Sequence, residues 1–161
     1  MNIFDFALKL EKNHKEFYLE HAGSTENKKL RVVFEELAGE EEKHEQIVQN
    51  LAEDKENEKI VSDILPRAKA AFEEIVTDLS EDNDIRQQVD VYKKAQEMET
   101  KAFNFYTEKA EETDSKNVKD AFQKLAAEEK KHENILRNLT EMVNRPNTWL
   151  DDAEWYHREE Y

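Results

Sequence analysis

The chain is 161 residues long, with 39 acidic against 24 basic residues, a net charge of −15, two glycines, two prolines and no cysteine. This length suits one domain with a real core, and a chain so poor in breakers and rich in Ala, Glu, Lys and Leu favours long helices over sheet. The acidic excess repels phosphate backbones and anionic lipid, which argues against nucleic acid and membrane surfaces as partners. The lack of cysteine removes disulfides, thiolate metal sites and cysteine nucleophiles.

In chain order, Met1 to Asp5 lead into an amphipathic pattern with early charges and no apolar signal core. No stretch approaches the roughly 20 apolar residues of a membrane span, so a soluble cytoplasmic protein is expected. A first helix is predicted over about 2–22, then the polar turn Gly23-Ser24-Thr25, then a second helix over about 26–54. A charged crossover follows over 55–84, in which Leu65-Pro66-Arg67 opens a short helical pattern through Val76; proline is comfortable in a first helical turn. A third long helix is predicted over about 85–112, the turn Thr113-Asp114-Ser115 follows, and a fourth runs over about 116–144. Arg145-Pro146 stops it. The organisation is thus a helical domain over 1–145 and an aromatic, acidic tail over 146–161.

The chain repeats itself. Sliding it by 88 residues pairs 4–52 with 92–140 without a gap, and 19 of the 49 positions are identical. That is too many for biased composition alone, and two long copies read as a duplicated helical hairpin rather than a solenoid. Short turns within each hairpin make its helices antiparallel neighbours, and the long crossover can travel the length of a bundle. The expected fold is all-α: a four-helix bundle of two repeated hairpins.

On the second helix, the spacing of Leu30, Phe34, Leu37, Val48 and Leu51 defines one apolar stripe, and Glu41 and His44 fall inside it. On the fourth, Val118, Phe122, Leu125, Leu136 and Leu139 enclose Glu129 and His132 in the same way. Glu11 lies among Phe4, Ala7 and Tyr18, and Glu99 among Tyr92, Ala95 and Tyr106. Four ionised glutamates in a core cost many kcal/mol without compensation. Two divalent cations balance their charge, and mixed carboxylate and imidazole ligation suits iron or manganese, with zinc also admitted. A single Glu-x-x-His proves little in so acidic a chain. The weight rests on Glu11, Glu41 and His44 recurring at the 88-residue offset as Glu99, Glu129 and His132. Glu154 and His157 in the tail have the same spacing but lie outside the repeat and are read as a decoy; Trp149, Trp155, Tyr156 and Tyr161 are read as packing residues.

Phe17-Tyr18 after Glu11, the run Leu37-Ala38-Gly39-Glu40-Glu41-Glu42-Lys43-His44, and their second copies resemble the rubrerythrin branch of the ferritin-like superfamily. The resemblance implies a di-iron site on Glu11, Glu41, His44, Glu99, Glu129 and His132, with Tyr18 and Tyr106 beside the metals and hydrogen-bonded to carboxylate ligands. It also implies a homodimer. Two departures stand out. Rubrerythrins proper carry a rubredoxin-like iron on four cysteines, which are absent here, so electrons must come from a separate donor protein. They also tend to carry a further carboxylate where this chain has Ala102. Opposite Ala102 in the repeat stands His14, read as an extra metal ligand, a group orienting one, or a packed histidine. The expected function is a di-iron oxidoreductase acting on hydrogen peroxide or dioxygen. The alternatives are an iron-handling protein without dedicated turnover and a metal-free helical interaction module.

Overall fold

The computed structural model describes residues 2–57, 59–77 and 83–145. Its elements are α1 (Ile3–Ser24), α2 (Lys28–Ala52), α3 (Ile64–Thr77), α4 (Asn83–Gln87), α5 (Val89–Glu112) and α6 (Lys116–Asn144), with no strand among the described residues. Local chemistry sets three of the starts. The Asn2 side chain accepts the Asp5 N–H at 2.9 Å, Asn27 accepts that of Leu30 at 2.9 Å, and the Ser115 hydroxyl accepts that of Val118 at 3.2 Å. Such caps satisfy amide groups the first turn leaves orphaned and contribute about 1 kcal/mol each.

The long helices pair as two hairpins, α1 with α2 and α5 with α6. Their inner faces bury in layers. One apolar cluster gathers Tyr18, Phe34, Leu37, Tyr92 and Leu136, and a second, at the other end of the bundle, gathers Ala7, Val48, Leu51, Tyr106 and Phe122. Between them every long helix contributes a carboxylate: Glu11, Glu41, Glu99 and Glu129, all fully buried. The bundle is therefore an apolar–polar–apolar stack, and the polar layer is sealed from both ends.

One feature departs from the expected outline. The third long helix does not begin at 85 but is broken at Gln88, where the backbone leaves helical geometry (φ −102°, ψ 21°). The Ile85 carbonyl there is taken by the buried Tyr92 hydroxyl at 2.8 Å and by a long 3.4 Å bond from the Gln88 N–H. The short helix in the crossover, by contrast, is a structural element in its own right. Ile64, Leu65, Ala68, Phe72 and Ile75 form its buried face, and α3 packs across both α2 and α6. It therefore buries a second side of α6, including Ile135 and Met142. No helix among the described residues is long and apolar enough to cross a membrane.

Candidate metal centre

The helical register that buries the two apolar clusters necessarily turns Glu11 and His14 of α1, Glu41 and His44 of α2, Glu99 of α5, and Glu129 and His132 of α6 into the space between them. Glu11, Glu41, Glu99, Glu129 and His132 are 0 % exposed, His44 3 % and His14 5 %. The expected six residues and His14 are thus brought together.

Their arrangement follows the repeat. His44 Nδ1 lies 3.2 Å from Glu11 Oε2, 3.3 Å from Glu41 Oε1 and 3.0 Å from Glu129 Oε1. His132 Nδ1 lies 3.6 Å from Glu99 Oε2, 3.0 Å from Glu41 Oε1 and 3.5 Å from Glu129 Oε1. The two imidazoles are nearly parallel, at 4° and 5.6 Å between centroids. Glu41 and Glu129 thus stand between the histidines, while Glu11 and Glu99 each belong to one side.

The two tyrosines complete the symmetry by crossing it. Tyr18, from the first hairpin, donates its hydroxyl to Glu99 Oε1 of the second at 2.6 Å; Tyr106 donates to Glu11 Oε1 at 2.7 Å. Both hydroxyls are buried, so each bond fixes one carboxylate oxygen and leaves the other for the centre. We expect Tyr18→Phe and Tyr106→Phe to destabilise the protein by similar amounts, about 1–3 kcal/mol each, because each strands a buried carboxylate oxygen. Urea unfolding of the two variants checks this, and a large inequality between them would contradict the equivalence of the halves.

Without metal, these groups perturb one another strongly. Burial, followed by the negative charges of Glu11, Glu41 and Glu99, holds the Glu129 carboxyl well above its usual range. Burial and the charge of Glu41 raise Glu11 to about 7. Burial alone raises Glu41 too, but the imidazoles of His132, His14 and His44 close around it overcome this and leave Glu41 well below the usual range. Burial disfavours charge on His44 and His132, yet the surrounding carboxylates outweigh it and raise both well above the ordinary imidazole value. Burial likewise lowers His14, but Glu41 and Glu99 push it up to about 12. The metal-free centre therefore holds protons where cations can sit.

The donor set fits a metal. Glu11 Oε2, Glu41 Oε1, Glu99 Oε2, both oxygens of Glu129, and Nδ1 of His44 and His132 are buried without a hydrogen bond. Native cores rarely leave such atoms orphaned. They converge in two overlapping groups whose ligand atoms lie within 4.8 Å of one another: Glu41, His44, Glu129 and His132, and His14, Glu41, Glu99 and Glu129. Carboxylate and imidazole donors without thiolate suit iron, manganese or zinc.

The sequence reading gave no role to a neighbouring buried pair. Glu40 and Glu128, also 88 residues apart, are each 4 % exposed. Lys43 stands 3.2 Å from Glu40, and Lys131 stands 2.7 Å from Glu128 while donating to the Ser62 carbonyl at 3.2 Å. The pair anchors the crossover beside the centre; its identity in both repeat copies was the available signal. Glu154, His157 and the tail aromatics Trp149, Trp155, Tyr156 and Tyr161 lie outside the described residues.

An all-helical bundle with a buried carboxylate–histidine layer at its middle has the build of a ferritin-like bundle with a candidate metal site. The family model described as Rubrerythrin matches residues 2–140, and the chain belongs to that family. No match was found among curated proteins or among solved structures. The chain has no cysteine and so no rubredoxin-type iron site.

Proposed function

We propose that the protein is a di-iron carboxylate oxidoreductase that reduces hydrogen peroxide, or dioxygen, with electrons from a separate donor protein. The observation that carries this reading is the pseudo-symmetric set of orphaned donor atoms in a water-excluding layer. In this reading Glu11 and His44 hold one metal position, Glu99 and His132 the other, and Glu41 and Glu129 serve both. The chemistry a ferrous pair supplies when bound is Lewis acidity and two reducing equivalents, which match the two-electron cleavage of a peroxide bond. Each peroxide takes up two electrons and two protons and leaves as two waters.

The chain's own groups do the rest. Glu41 and Glu129, facing both histidines, keep the two positions close. The Tyr18 and Tyr106 hydroxyls hold Glu99 and Glu11 by one oxygen each, so the free oxygens can reorient without the side chains leaving the site. These hydroxyls are also buried protons beside the centre. The apolar clusters above and below exclude bulk water.

The strongly acidic composition favours a second reading, in which the bundle gathers and releases iron without dedicated turnover. One anaerobic stopped-flow experiment separates the two. For the oxidoreductase, peroxide oxidises ferrous-loaded protein faster than free ferrous ion, at a stoichiometry near two irons per peroxide. Equal rates, or uptake of many irons per chain, would favour iron handling. Zinc in the same positions should bind without this reaction, having no accessible redox change.

A further inference from the structure

The repeat is symmetric at all six proposed ligands and both tyrosines but not at positions 14 and 102. We propose that His14 is a third imidazole ligand, serving the Glu99 side of the centre alone, so that the two metal positions of a symmetric fold are chemically different. The inference rests on the di-metal reading above.

Three observations carry it. First, besides its hydrogen bond to Glu41 Oε2, His14 Nδ1 faces oxygens of two further carboxylates of the centre. It lies 2.9 Å from Glu41 Oε2, 3.4 Å from Glu99 Oε1 and 3.9 Å from Glu129 Oε2. Second, these are largely the oxygens that the other histidines do not use: His44 and His132 face Oε1 of Glu41 and Glu129. Glu129 Oε2, fully buried and without a hydrogen bond, is aimed into the group that His14 closes, and the four ligand atoms lie within 4.8 Å of one another. Third, the mate of His14 is Ala102, which is 0 % exposed. A small apolar residue is thus accommodated at the symmetric place, so packing does not require an imidazole there.

His14 also lines a groove between α1 and α5 bounded by Phe6, Leu10, Met98 and Phe105. A small molecule arriving by that groove meets His14 before the rest of the centre. In consequence, free imidazole has a route into the space a truncated His14 would leave.

Cobalt(II) titration of the full chain tests the assignment, using visible absorption for affinity and the exchangeable, paramagnetically shifted imidazole N–H proton signals to count bound histidines. Wild type should show three such signals, and His14→Ala and His14→Gln two. In both variants one cobalt equivalent should bind at least about tenfold more weakly, the scale on which metal sites respond to loss of a supporting group. Added imidazole should restore the third signal in His14→Ala. His14→Gln keeps the side chain polar and near full length, so it carries the same test should the alanine variant fail to fold. Two signals in wild type, with affinity and spectrum unchanged in the variants, would overturn the proposal and leave the six-ligand centre standing. No cobalt uptake by wild type would overturn both.

Discussion

Glu41→Ala is expected to empty the centre rather than half of it. Glu41 stands within 3.3 Å of all three histidines, at 2.9 Å to His14, 3.3 Å to His44 and 3.0 Å to His132. In the proposed di-metal reading, its loss removes a shared donor from both positions at once. Elemental analysis of ferrous-loaded, desalted protein should fall from about two irons per chain to fewer than one, since four-carboxylate sites of this kind share their central ligands. The metal-free variant should also lose stability. Glu41 is held ionised against a cluster of imidazoliums, and breaking a buried charge pair by removing one partner costs about 3–5 kcal/mol. Glu129→Gln offers the contrast. Glu129 carries its proton in the metal-free protein because burial and three neighbouring carboxylates oppose its charge, so the neutral amide nearly reproduces it. That variant should melt close to wild type without metal and fail to gain stability with it. Thermal melts of both variants, with and without ferrous iron, check the pair; equal behaviour of the two would count against the division of charge described here.

The second large effect is the dependence of metal stabilisation on pH. In the metal-free fold, His14 is raised from 6.5 to about 12 and Glu11 from 4.5 to about 7, and His44, His132 and Glu129 are raised too. Between about pH 4.5 and neutrality and above, the folded state therefore binds more protons than the unfolded chain, so metal-free stability falls as pH rises through this range. Glu41 and Glu99, held low, act in the opposite sense only below their unfolded values, where acid removes their contribution. Metal binding demands the reverse: imidazoles must be neutral and carboxylates ionised, so binding releases protons and tightens as pH rises. The melting-temperature gap between loaded and metal-free protein should widen from pH 5 to pH 8. With each of the two proposed positions at a hundredfold excess over its Kd, the gain is about 2.7 kcal/mol per site, and for both together roughly 10–20 °C for a chain of this size. Differential scanning calorimetry across pH measures this, and a gap that narrows with rising pH would contradict it.

Much of the fold and the centre was legible in the sequence because both are carried by local periodicity and by the repeat. The recurrence of Glu11, Glu41 and His44 at one fixed offset places six polar residues on buried stripes, and a helix admits little freedom in where such stripes point. The bounds of α6 agree with the expected ones to the residue. What was not legible depends on contacts between distant segments. Asn134 and Asn138 of α6 are buried although nothing in the local pattern distinguishes them from surface polar residues. The break at Gln88 hangs on the Tyr92 hydroxyl reaching the Ile85 carbonyl, a tertiary detail that helical periodicity does not encode. His14 was ambiguous for a related reason: having no copy in the other half, it lacked the corroboration that the repeat lent to the rest.

The crossed bonds from Tyr18 to Glu99 and from Tyr106 to Glu11 have a consequence for ancestry. Neither hairpin holds a complete centre, yet two identical copies of one hairpin, related by a twofold axis, would supply every donor of the symmetric set. Such a dimer can only change its centre in pairs, since every substitution appears on both sides of the axis. Joining the copies through the α3 crossover lifts that constraint. Position 14 can then be histidine while position 102 is alanine, and the covalent link is what lets one half of the centre diverge from the other.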